Sequence, residues 1–155
     1  VDVPVRKFLP LKVMPEPGDK LAAVPFYALP ANIAERGVFT RLKIKPVTAL
    51  VNASSGAAEI IEEEIVPAEY SGLPAGIKTA PVKLSRAEAE GAAVAAASAS
   101  SPRGWKRGLC RTDIFLISAE RDALALRLYI IRGPQLIDSF TGESGEAASL
   151  IEFII

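Results

Sequence analysis

The sequence predicts an α+β protein that is mostly β: a curled antiparallel sheet, one packed alanine-rich helix, and a proline-rich strand arm in front. Three observations carry this expectation. Half of the 155 residues are hydrophobic, so a sizeable core can be buried. Short segments alternate apolar and polar residues with period two between Gly, Pro, Asn and Asp punctuation. Only one stretch, after Ser85, combines a helix-start signal with helix-forming composition.

Taken in order, residues 1–36 contain Pro4, Pro10, Pro15, Pro17, Pro25 and Pro30. Proline removes a ladder donor, so this stretch reads as an extended arm or short edge strands. Residues 30–37 are expected to form one helical turn closed by Gly37. From residue 37 to 155 a single α+β domain follows, with a two-lobe split conceivable near 67–84. Val38 to Lys45 alternates as a strand, and Thr48 to Val51 forms the next one after Pro46. Asn52-Ala53-Ser54-Ser55-Gly56 is a turn, and Glu59 to Val66 is the returning strand. Pro67, Gly72, Pro74, Gly76 and Pro81 mark a connecting loop.

Ser85 and Glu88 have the spacing of a capping box, with Leu84 placed for a hydrophobic staple. The helix then runs through alanines that allow very close packing, and ends before Pro102. Leu109 to Ser118 is the next strand, and Glu120-Arg121-Asp122 a turn. Ala123 to Arg132 sets Leu124, Leu126, Leu128 and Ile130 on one face. Gln135 to Ser139 is a further strand before a Thr141-Gly142-Glu143 turn. The chain finishes in the apolar run Leu150-Ile151-Glu152-Phe153-Ile154-Ile155.

Composition narrows the chemistry. There is no histidine, which removes Ser-His-Asp and Cys-His nucleophiles, His-ligated zinc and the usual near-neutral proton shuttle. Cys110 is the only cysteine, so an intrachain disulfide or multi-cysteine metal site cannot form; its strand context reads as a packed thiol. The formal net charge is zero, which argues against a nucleic-acid partner. No run approaches the roughly 20 apolar residues of a membrane-spanning helix. The first residue is Val1 rather than Met, which suits a processed, extracellular or cell-surface chain.

Leu50-Val51-Asn52-Ala53-Ser54-Ser55-Gly56 and Leu136-Ile137-Asp138-Ser139-Phe140-Thr141-Gly142 share one pattern: two apolar residues, Asn or Asp, two variable residues, Ser or Thr, Gly. Two ordinary hairpins explain it, since Asx side chains bond turn backbone and Gly takes positive φ. The second copy, followed by Glu143, also resembles the end of a PepSY or cystatin-like module, in which helix, strand, strand and a Val-Asp-Ala-x-Thr-Gly-Glu strand follow in that order. The likeness covers about the last 70 residues and departs at Ser139. It implies an extracytoplasmic binding, inhibitory or structural module.

Candidate sites are few. Asp138, Glu143 and Glu146 have oxygen ligands for calcium, but Phe140 breaks the EF-hand order, so a solvated acidic turn is the better reading. Glu62-Glu63-Glu64 splits its carboxylates between strand faces and suits a charged edge. Arg103-Gly104-Trp105-Lys106-Arg107 with Arg111 suits a loop anchored by Trp105. Asn52-Ala53-Ser54 is a glycosylation sequon if the chain is secreted, making a glycan at Asn52 an expected partner. No catalytic, metal or cofactor residue is assigned.

The expected function is therefore a non-catalytic structural subunit of an extracellular filament or particle, assembling with itself through terminal strands. The assembly residues are Val1, Val3, Val5, Phe8, Leu9, Leu11 and Val13 in the arm, and Leu150, Ile151, Phe153, Ile154 and Ile155 at the end. The alternative is the PepSY or cystatin-like binding module.

Overall fold

The computed structural model describes residues 7–37, 41–70, 77–99, 110–116 and 124–146. Their elements run β1 (Lys7–Phe8), β2 (Lys20–Gly37), β3 (Lys43–Asn52), β4 (Ala58–Ile61), β5 (Ala68–Glu69), β6 (Lys78–Thr79), α1 (Arg86–Ala99), β7 (Cys110–Leu116), β8 (Leu124–Arg132), β9 (Gln135–Asp138) and β10 (Ser144–Glu146). The mostly-β class with one helix stands. The sheet is open and curled, and it is mixed rather than wholly antiparallel: β1 lies parallel to β8, and β6 parallel to β2.

The spine is β2, one strand where the sequence alone predicts edge pieces and a helical turn. Its 18 residues run unbroken through Pro25 and Pro30. Along one edge it pairs with β8 from Lys20 to Tyr27 and with β7 from Ala31 to Gly37. Along the other it pairs with β6 at Ala22 and Ala23, and with β3 from Phe26 to Glu35. Two hydrogen bonds fix which way the backbone faces. Ala80 N donates to Ala23 O and Ala53 N donates to Pro25 O, so odd residues of β2 face the β6–β3 edge. Pro25 thus turns its missing N–H into the junction between β6 and β3. Pro30, of opposite parity, turns its own toward the interval between the described pairings with β8 and β7. Proline is tolerated in a central strand here because, among the described residues, neither ring displaces a ladder bond.

Pro46 lies inside β3 on the same principle. Its N–H side faces outward beyond the reach of β4, which pairs only with residues 48–51, so it blunts a strand edge. The returning strand is shorter than expected, ending at Ile61. Thr48 Oγ1 donates to Glu63 O (2.8 Å) and accepts from Ile65 N (3.2 Å), which swings the chain off the sheet and seats Ile65 in the core. Glu62, Glu63 and Glu64 therefore lie beyond the strand, not on its two faces. The expected loop over 67–83 contains the short strands β5 and β6.

The helix forms where its cap signals place it. Glu88 N donates to Ser85 Oγ and Ser85 Oγ to Glu88 Oε1, both at 3.2 Å. Ala89, Ala93 and Ala97, one turn apart, are buried. The first two pack with Leu84 against Tyr27, Leu29, Ala49 and Val51. A methyl-only helix face is what lets the backbone sit this close to the sheet. Tyr27 Oη donates to Leu84 O (2.9 Å), tying the helix entry to the spine.

The main sheet path, β10-β9-β8-β2-β3-β4, reads as two three-strand meanders joined back to back at the antiparallel β2–β8 pair. Both meanders close with the same turn. Gly56 N donates to Asn52 O (2.8 Å) and Asn52 N to Ala57 O (2.8 Å); Gly142 N donates to Asp138 O (2.7 Å) and Asp138 N to Glu143 O (2.8 Å). Gly56 and Gly142 take φ of 83° and 80°. The shared sequence pattern is thus one turn built twice.

Candidate functional site

Two places combine unusual chemistry with position. The first is Arg127, on the face of β8 opposite Leu126 and Leu128. Sequence alternation alone puts that face in water, yet Arg127 is only 11 % exposed. Its guanidinium forks onto the Asp138 carboxylate of neighbouring β9, with Nε 3.2 and 3.1 Å from the two oxygens and Nη2 closer still. Nη1 bonds Glu59 Oε1 on β4 at 3.2 Å. Between β8 and β4 lie β2 and β3, a span of about 14 Å in a flat sheet. An arginine cannot cover that distance, so this ion pair records how strongly the sheet curls. The guanidinium also sits 5.2 Å from the Phe26 and Phe140 ring centres and 6.0 Å from Tyr129.

The electrostatics follow from this enclosure. Burial works against the Arg127 charge, but hydrogen bonding to Asp138 and the surrounding charges outweigh it and hold the group above its ordinary value. Burial also pushes the Tyr129 hydroxyl up; nearby Arg127 opposes that shift, and Asp138 and Glu59 add to it. Asp138 Oδ1 further accepts the Phe140 amide, setting the turn. The cluster is a clasp across the curled face, with its donors directed to partners within the chain. Asp138 is committed to Arg127, while Glu143 and Glu146 are exposed. Among the described residues no group of three His, Cys, Asp or Glu is arranged to hold a metal, and no buried side-chain N or O lacks a hydrogen-bond partner. No helix among them is long and apolar enough to cross a membrane.

The second place is the far end of the sheet, where β2, β3 and β7 run beyond the paired meanders. Here α1 lies against one face. On the other, Phe115 and Pro46 flank Asn32, and Ile44 lies opposite Ala34. Register places these side chains on one face. Ile44 is 62 % exposed and Phe115 59 %, with Pro46 exposed beside them and Leu42 just before β3 exposed as well. Alternation in the sequence marks Ile44 and Phe115 as apolar strand residues but says nothing about which face stays open.

The expected assembly residues divide. Phe8 and Leu9 are buried in the chain's own core; Leu9 packs with Val24 and Phe26, and Phe8 with Ala23 and Leu128. Leu11 and Val13 are half-buried. This part of the arm is built into the fold because Leu9 N donates to Leu126 O (2.9 Å) and closes the edge of β8. Val1, Val3, Val5, Leu150, Ile151, Phe153, Ile154 and Ile155 lie outside the described residues, as do the Trp105 loop, the Glu120-Arg121-Asp122 turn and residues 38–40. β7 begins at Cys110.

Asn52 is half-buried, and its Oδ1 accepts from Ser54 N (2.8 Å) and Ser55 N (3.1 Å), so its side chain organises the turn. The turn behind the PepSY-like resemblance also closes a hairpin outside the last 70 residues. Comparison with family models, curated proteins and solved structures returns no match.

Proposed function

We propose that the chain is a non-catalytic structural subunit that associates with copies of itself, as in an extracellular filament or particle. The observation that carries this reading is the open apolar face at the far end of the sheet, where Ile44, Phe115 and Pro46 stand together in a chain with no net charge to hold copies apart. Exposed apolar side chains grouped on a sheet end, here around Asn32, favour burial against another molecule. The internal pairing of Arg127 with Asp138 and Glu59 agrees with a structural role, since the enclosed Arg127–Asp138 charges are spent on holding the fold closed.

The test is native mass by light scattering over a range of concentration, for the parent chain and for Ile44→Lys and Phe115→Lys. The parent is expected to form species heavier than the 16.4 kDa chain. Each variant, with its circular dichroism unchanged, is expected to shift toward that chain mass. Variants that assemble as the parent does would overturn the role of this face.

A further inference from the structure

The two meanders match beyond their turns. The segment Lys7-Phe8-Leu9-Pro10-Leu11-Lys12-Val13 corresponds to Lys78-Thr79-Ala80-Pro81-Val82-Lys83-Leu84, with Lys, Pro and Lys at the same spacing. Leu9 N donates to Leu126 O (2.9 Å) as Ala80 N does to Ala23 O (3.0 Å). Lys12 N donates to Ser139 O (2.7 Å) as Lys83 N does to Ala53 O (2.8 Å). Ser139 N donates to Leu128 O (3.1 Å) as Ala53 N does to Pro25 O (2.9 Å). A local two-fold through the Val24–Arg127 pair relates the two sets. Within this symmetry the leading strands are crossed. β1 precedes β2 yet lies on β8, and β6 precedes β8 yet lies on β2. The helix and β7 are additions to the second unit only.

We infer that the chain is one repeated unit linked to itself as an exchanged pair, and that its leading strand also exchanges between molecules. Residues 7–13 of one copy seat on β8 of a second copy. This rests on the self-association reading and names its partner and its seat. The seat is formed by β5, β8, Tyr70 and Ile77, where Phe8 meets Tyr70 edge-on and lies beside its strand partner Leu126. The exchanged contacts are those already made within one chain, so the two forms differ only in the linker over residues 14–19. That linker is stiffened by Pro15 and Pro17 and is tied down where Arg132 bonds the Asp19 carboxylate (3.1 and 2.8 Å).

Lys7 and Glu69 are exposed and directly paired across β1 and β5. Paired strand positions lie within the Cα range of a disulfide. Two full-length variants, Lys7→Cys and Glu69→Cys, each also Cys110→Ser, are mixed in the native state, concentrated and oxidised. The expected product is a disulfide-linked species of twice the chain mass. It should exceed several-fold the product of Lys7→Cys mixed with Lys83→Cys, an exposed position off the seat. The single chain carrying both Lys7→Cys and Glu69→Cys is expected to close its own disulfide, and failure to do so overturns the seat. Closure within the chain but no link between chains overturns exchange. If particles still form in that case, self-association through the far sheet face stands; if the mixture is also monomeric, both readings fall.

Discussion

At the scale of single residues, Arg127 shows what sequence alternation leaves open. A charge at an alternate strand position ordinarily faces water, and only the curl of the sheet, a long-range property, converts that position into a buried one. The clasp makes a defined claim about stability. Removing one partner strands a charge in a poorly hydrated place, so Asp138→Ala is expected to cost about 3–5 kcal/mol in urea unfolding. The double variant Arg127→Met/Asp138→Ala should recover a substantial part of that loss, and equal losses for the two would contradict the clasp. Tyr129 adds a pH dependence. Its folded-state value is raised above 10, so below pH 10 both folded and unfolded hydroxyls are protonated and its contribution is complete. As pH climbs past 10 the unfolded hydroxyl ionises first, the unfolded state binds fewer protons, and stability falls. The stability difference between the parent and Tyr129→Phe should therefore be flat to about pH 10 and change above it; a difference that first appears at acid pH would contradict this assignment.

At the scale of elements, local chemistry was legible wherever the decisive contacts were local. Ser85 and Glu88 marked the helix start because a cap needs only residues three apart. The Asx and Gly residues marked both turns because Oδ1 and positive φ act within five residues. The period-two run of Leu124, Leu126, Leu128 and Ile130 marked β8. The spine β2 was hidden because Pro25 and Pro30 read as strand breakers, and only their partners reveal that the missing N–H of Pro25 falls between β6 and β3 and that of Pro30 between the described pairings with β8 and β7. The crossed leading strands were also missed, although Lys7, Pro10 and Lys12 repeated as Lys78, Pro81 and Lys83 gave a signal. The twin turns permit a paired measurement. A Cβ on Gly142 meets nothing within 4 Å, and one on Gly56 meets only Leu84 Cδ2 at 3.6 Å. Both substitutions then cost only the left-handed backbone conformation. Gly56→Ala and Gly142→Ala should each lose about 1 kcal/mol by thermal or urea unfolding, within about 0.5 kcal/mol of each other. A several-fold difference would mean that the two turns are not equivalent.

At the scale of the whole molecule, the mostly-β class was readable from composition and alternation, because burying half of the chain in short strands leaves few other architectures. The placement of the apolar residues was not. Phe8 and Leu9, which look like free assembly residues in a proline-spaced arm, close the chain's own sheet, while Ile44 and Phe115, which look like ordinary strand residues, stand open at its far end. Curl, crossing and extension are all long-range features, and together they leave Ile44, Phe115 and Pro46 exposed on one face at the far end, which we propose another copy covers. The most direct test of that conclusion is the mass of the native particle by light scattering across concentration. Self-association predicts species well above the 16.4 kDa chain that grow as concentration rises. A particle that stays at the chain mass at every concentration would contradict it.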